Sequence, residues 1–214
     1  PPHAGPGARP GWGAAARAGL GELWGVLRRL PARPDLLRFL LARLFYTDGL
    51  NTLFAFGAVF AAGVHGMGFE EILLFGIALN VTAGLGAAGF GLLEDRLGSR
   101  RTALVSVLAL TVVGALLVVA TDRATFWGLA LVLGVFFGPA QSASRALMAR
   151  MAPPGEEAAH FGLFALSGRA TGFLGPAALA AVTAATGSQR WGMATVVVFL
   201  ATGAALLTTV RGVR

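Results

Sequence analysis

The chain has 214 residues, 56% hydrophobic and 13% charged, with a mean hydropathy of +0.72, where an average soluble domain carries roughly 25% charge. This balance argues against a soluble helical core, since soluble helices need a polar face that the long apolar runs here lack. The formal net charge is +7, every one of the 17 basic residues is arginine, and the absence of cysteine excludes disulfides, thiolate catalysis and thiolate-ligated zinc.

The first ten residues, with four prolines and two glycines, have the composition of a flexible linker. From Gly11 to Leu30, Leu20, Leu23, Trp24 and Leu27 fall at i, i+3, i+4 and i+7, the spacing of an amphipathic helix. Trp24 beside Arg28 and Arg29 suits a helix lying on a membrane surface; a loosely structured connector is the alternative. Pro31 and Pro34 end this segment.

Six runs of membrane length follow: Gly49–Phe69, Ile72–Leu93, Thr102–Thr121, Ala124–Ser144, Phe161–Gln189 and Trp191–Val210. A bilayer crossing takes about 20 mostly apolar residues. Apart from Glu70 and Glu71 between the first two runs, the only intramembrane charges are Arg169 in the fifth and, because the first span extends back to Phe39, Arg43 and Asp48. The expected spans are 39–64, 69–93, 102–121, 124–144, 161–186 and 191–210, giving a linker over 1–35 and an all-α integral membrane domain over 36–214. Membrane β-strands are short and alternating; these runs are long, rich in Leu, Ala and Gly, and do not alternate.

The arginines sort by side. Arg28, Arg29, Arg33, Arg38, Arg43, Arg96, Arg100, Arg101, Arg145, Arg150, Arg211 and Arg214 fall on one face, and only Arg123 and Arg190 on the other. By the positive-inside rule both termini are cytoplasmic. The sorting also argues against a nucleic-acid patch, so no nucleic-acid partner is expected. The lack of lysine with abundant Ala, Gly and Arg suggests a GC-rich genome and hence a bacterial inner membrane. His3, His65 and His160 lie apart without metal-ligand spacing, and no nucleophile–base pair stands out. We therefore expect no metal, no cofactor and no enzymatic activity.

Between the second and third spans lies Gly91-Leu92-Leu93-Glu94-Asp95-Arg96-Leu97-Gly98-Ser99-Arg100-Arg101. Its Gly-x-x-x-Asp-Arg-x-Gly-x-Arg-Arg pattern resembles the loop motif of the major facilitator superfamily of secondary transporters. Phe39–Arg43, Tyr46–Thr52, Gly138–Arg145 and Phe161–Arg169 together resemble the vacuole effluxer-like branch, also called the unknown major facilitator family, whose eukaryotic members are autophagy-related vacuolar amino-acid exporters. The resemblance covers roughly Leu36 to Val210. It implies the C-terminal six-helix half of a twelve-helix alternating-access fold, whose N-terminal half is a missing partner. It also implies a small-molecule solute, with amino acids as the class, and membrane lipids and protons as further partners. The alternative is a non-transporting six-helix module, a scaffold or receptor half-unit acting as a dimer.

Within that loop, Gly91 and Gly98 permit close helix approach and an unusual turn. Asp95 suits the positive end of a neighbouring helix, and Arg96, Arg100 and Arg101 suit acids or anionic headgroups. The resemblance implies a cytoplasmic latch that breaks during transport; a merely topogenic basic turn is the alternative.

Asp48 and Arg169 lie eight or nine residues inside their spans, hence about 12–14 Å deep. Charges at that depth face a polar interior or each other. They make a candidate solute or proton site, with Asp48 as titratable acid and Arg169 as carboxylate clamp; a static pair, or a local Arg43–Asp48 pair, is the alternative. Asn51, Asn80 and Gln141 are cavity-lining or interhelical hydrogen-bonding candidates. Gly138-Pro139 and Gly175-Pro176 can kink or interrupt their helices. Gly84, Gly86, Gly89 and Gly91 form a small-residue strip for close packing.

Overall fold

A computed structural model describes residues 12–211. The stretch 1–10 and Arg214, both used above, lie outside the described residues, as do the side chains of Trp12, Arg17, Leu20 and Glu22. The described chain is helical: α1 Trp12–Arg29, a 3-10 turn at Leu30–Ala32, α2 Pro34–His65, α3 Phe69–Leu97, α4 Ser99–Val119, α5 Arg123–Met151, α6 Glu157–Ser167, α7 Leu174–Thr186 and α8 Gln189–Thr208.

The boundaries follow local chemistry. Pro34 opens α2, where its missing N–H costs nothing, and Gly66 ends it at φ 63°, a left-handed conformation that side chains resist. Gly98 alone separates α3 from α4, at φ 81°. Asp122 caps α5 by accepting from Thr125 N at 2.8 Å. The Thr125 side chain, together with this bond and the adjacent backbone amides, holds its carboxyl below the ordinary value.

Among the described residues, five helices are long and apolar enough to cross a membrane: α2, α3, α4, α5 and α8. The fifth predicted span is not one helix. Residues 161–186 fall into α6 and α7, separated by turns over 168–173. Pro176 favours the interruption: it cannot donate to the carbonyl of Gly172, and its ring crowds that carbonyl. Gly168 and Gly172 add flanking residues of low helix propensity.

The helices run up and down. α2 packs along α8, α8 against α4, α4 against α5 and α5 against α3, with α7 on α8 and α1 on α6. At one end Arg100 (α4) donates to Thr208 O at 2.9 Å and Arg38 (α2) to Thr209 O at 3.3 Å, while Asp35 accepts from Arg211 N. At the other end Arg190 donates to Val118 O in the last turn of α4 and to Ala120 O just after it, and Glu71 of α3 pairs with Arg123 and accepts from Trp127 Nε1 at 2.9 Å.

Between helices, small residues bring backbones together. Gly134 and Gly138 of α5, spaced i, i+4, face Thr82 and Ala83 of α3, and Gly86 of α3 lies against Val135 O. That carbonyl is the one Pro139 leaves without a helical donor. Pro139 nonetheless sits inside an unbroken α5. Of the glycine strip on α3, only Gly86 makes such an approach; a Cβ at Gly84, Gly89 or Gly91 meets nothing within 4 Å. Gly86→Ala is therefore expected to destabilise the α3–α5 contact by about 1–3 kcal/mol through overpacking, whereas Gly89→Ala leaves stability equal or higher. Thermal unfolding of the two detergent-solubilised variants checks this contrast.

Candidate functional site

The break between α6 and α7 is where the polar residues of α2 converge. Hydrocarbon offers no water to unpaired backbone groups. Within the break Arg169 N and Ala170 N donate to Leu166 O, Gly172 N to Arg169 O, and Leu174 N to Thr171 O. The two helix ends facing the break are then met by one helix, α2.

Arg43 meets the end of α6. Its Nη1 donates to Phe164 O at 2.8 Å and Ser167 Oγ at 3.3 Å, and its guanidinium carbon lies 3.5 Å from the Phe164 ring centroid. The cation thus sits at the negative end of a helix dipole, with a cation–π contact in addition. Gly168 makes room: a Cβ there would lie 2.5 Å from Arg43 Nη1.

Asp48 meets the start of α7. Its Oδ2 accepts from Gly175 N at 2.9 Å, so a carboxylate from another helix supplies the N-terminal cap that α7's own N-cap residue, Phe173, does not. Asp48 is 1% exposed, and its Oδ1 has no hydrogen-bond partner. Gly175 lies against Thr52 Oγ1, which donates to Asp48 O at 2.8 Å. A side chain at 175 would push α7 off α2.

One turn away, Tyr46 and Ser144 of α5 share a buried hydrogen bond of 2.7 Å. Ser144 gives its proton to Ala140 O at 2.5 Å, so the Tyr46 hydroxyl is the donor. Sequence reasoning missed Tyr46–Ser144 because a lone tyrosine in an apolar run carries no pairing signal.

The other candidates lie as follows. Arg169 is exposed within the break and forms no ion pair with Asp48. Nor does Arg43 pair with Asp48; both reach from α2 to opposite sides of the break. Asn51 is exposed although Asp48 is buried. Asn80 is exposed on α3, donates to Gly76 O at 2.8 Å and borders a cavity of about 220 Å³ lined mostly by apolar residues such as Phe54, Phe75, Leu117 and Val196. Gln141 is half-buried on α5. In the α3–α4 loop, Gly98 forms the turn, Arg100 caps α8, and Gly91, Asp95, Arg96 and Arg101 are exposed. Ser99 donates to Glu94 Oε1 at 2.6 Å across that turn. No cluster of three or more His, Asp or Glu able to hold a metal occurs among the described residues.

Residues 1–214 match the family model described as vacuole effluxer Atg22 like. The chain belongs to the vacuole effluxer Atg22-like family. It is 31% identical over 183 residues to autophagy-related protein 22 of Cryptococcus neoformans var. neoformans serotype D, strain B-3501A, covering 78% of this chain and 34% of that protein. It is 23% identical over 182 residues to YxiO, an uncharacterized MFS-type transporter of Bacillus subtilis strain 168, covering 85% of this chain and 42% of that protein. Autophagy-related protein 22-2 of Emericella nidulans is 27% identical over 188 residues. The chain spans about a third of the length of the autophagy-related relatives it matches. With five apolar helices of membrane length, this member of the family is an integral membrane protein.

The cap geometry separates two roles of Asp48. Asp48→Asn retains an oxygen acceptor for Gly175 N, whereas Asp48→Ala leaves that amide unpaired, and loss of a helix N-cap costs about 0.5–2 kcal/mol. We expect Asp48→Ala to lower the melting temperature well below that of Asp48→Asn, as measured by thermal unfolding in lipid nanodiscs.

Proposed function

We propose that this chain is the C-terminal six-helix half of a twelve-helix secondary transporter that moves a small solute by alternating access, the broken α6–α7 span counting as the sixth crossing. Amino acids are the solute class expected from the family resemblance. The N-terminal half is the partner that completes the solute pathway, and no enzymatic step is needed. The arginine sorting supports an orientation with both termini cytoplasmic, and the arginine-rich, lysine-free composition supports a bacterial inner membrane.

The observation that carries the reading is the interrupted span with Asp48 at its second half. Transporters use discontinuous helices whose exposed ends meet solutes and coupling ions. Here a buried carboxylate occupies such an end and keeps one oxygen unpartnered. Protonating it would weaken its hold on α7, which makes Asp48 the proton-coupling residue. Arg169, exposed in the same break, is the clamp for a solute carboxylate, and Asn51, Asn80 and Gln141 are further candidates for the pathway wall. In the α3–α4 loop, Arg100 is committed to α8, so Asp95, Arg96 and Arg101, on the backbone set by Gly91 and Gly98, are left to latch against the other half. Exposed Trp24, Leu27 and Arg28 on α1 suit the lipid interface.

The test uses the full transporter in proteoliposomes with a panel of radiolabelled amino acids. Asp48→Asn is expected to lose proton-gradient-driven accumulation while keeping counterflow exchange. Gradient-driven accumulation at the unmutated rate would overturn the proton role of Asp48. Absence of transport of every solute offered, by the unmutated protein, would favour the non-transporting module instead.

A further inference from the structure

His160, in the first turn of α6, is fully buried. Its Nε2 lies 3.0 Å from Arg33 Nη1 and its Nδ1 2.9 Å from Glu156 O. A guanidinium has no acceptor. The Arg33 contact is therefore a hydrogen bond only if Nε2 is bare, which places the single ring proton on Nδ1, donating to Glu156 O. The geometry requires a neutral ring.

Arg33 closes the elbow between the 3-10 turn and α2, and it also reaches Glu156 Oε2 at 3.1 Å. Arg29, at the end of α1, reaches Glu156 Oε1 at 3.4 Å. Gly162 leaves room for Leu23 of α1; a Cβ there would lie 2.8 Å from Leu23 Cδ1. The elbow and α1 are thus strapped to α6, the first half of the broken span.

We propose that this strap is a pH-responsive device: protonation of His160 releases α1 and the elbow from α6. A second ring proton on Nε2 points straight at the Arg33 guanidinium and replaces a hydrogen bond with a like-charge contact. The charged ring also draws on Glu156, whose Oε2 lies 3.9 Å from Nδ1 and is already the acceptor of Arg33. The two cations then compete for one carboxylate. The charged groups around the ring are Arg29 from α1, Arg33 from the elbow, and Glu156 and Glu157 at the start of α6, with Glu157 turned to Gly155 N. From α2, Arg43 meets α6 further along, at Phe164. Among the described residues no charged side chain of α5 bonds to the ring. The strap holds while the ring is neutral and opens when the ring takes a second proton. Because Arg43 holds the Phe164 carbonyl in the last turn of α6, release would loosen the first half of the break.

The chain has no cysteine, so nitroxide labels on Gly21→Cys and Ala158→Cys, both exposed, report the α1–α6 distance in lipid nanodiscs. Between about pH 8 and about pH 5.5 the short-distance population is expected to be lost in the otherwise unmutated chain. His160→Gln, a neutral acceptor, is expected to keep one distance at both pH values. Arg33→Gln removes the opposing cation and is likewise expected to be insensitive to pH. An unchanged distance in the unmutated background would overturn the proposal. So would the same shift in either variant, because Glu156 rather than His160 would then be responsible.

Discussion

The arrangement depends on α2 holding both ends of a broken helix. In hydrocarbon the interruption of a span exposes peptide groups with no solvent to meet them, and an unsatisfied group costs several kcal/mol. The turns over 168–173 satisfy several of these groups internally. Arg43 and Asp48, five residues apart on α2, take positions with the right sign at each end: a cation on a carbonyl, a carboxylate on an amide. A single rigid helix thereby ties α6 to α7, and displacement of α2 acts on both halves at once.

The two intrahelical prolines show why sequence alone does not decide between a tolerated proline and a broken helix. Each frees the carbonyl four residues earlier. For Pro139 that carbonyl is Val135 O, which lies against Gly86 of α3 within a tightly packed pair, and α5 continues. Pro176 frees the carbonyl of Gly172, in a stretch where two glycines already weaken the helix and where α2 offers a ready-made cap. Tertiary packing, rather than proline itself, sets the outcome. The same close approach recurs where Gly175 meets Thr52, Gly192 meets Thr183, and Gly203 meets Tyr46. In lipid, where apolar surface gives helices little reason to associate, such contacts carry the packing.

Membrane character and the turn at Gly98 were legible because hydropathy and glycine conformation are local properties of the chain. Asp48 was legible as an expensive intramembrane charge, but its partner was not. Matching depth pointed to Arg169, whereas the partner is a backbone amide exposed only because the helix breaks. The Gly134/Gly138 spacing was present as i, i+4, yet the neighbouring strip on α3 drew the reading, and only packing distinguishes Gly86 from Gly84 and Gly89. The strap at His160 was illegible, since Arg33 and His160 are 127 residues apart.

Arg43 and Arg169 show what burial does to an intramembrane cation. Arg43 is buried, with two hydrogen bonds and an aromatic face, and such a group can persist in a low-dielectric interior. Arg169 is exposed at the break, and no carboxylate pairs with it among the described residues. A guanidinium cannot shed its proton to escape the cost, and a charge facing lipid at mid-span is penalised by about 2.5 kcal/mol or more. The surface carrying Arg169 therefore fits a polar neighbour better than acyl chains. A second set of helices would supply such a neighbour, and relatives of which the chain matches only 32–34% have room for one. Under the proposed function the break would then face the other half of the protein, with Asp48 on its sheltered side and Arg169 on its open side.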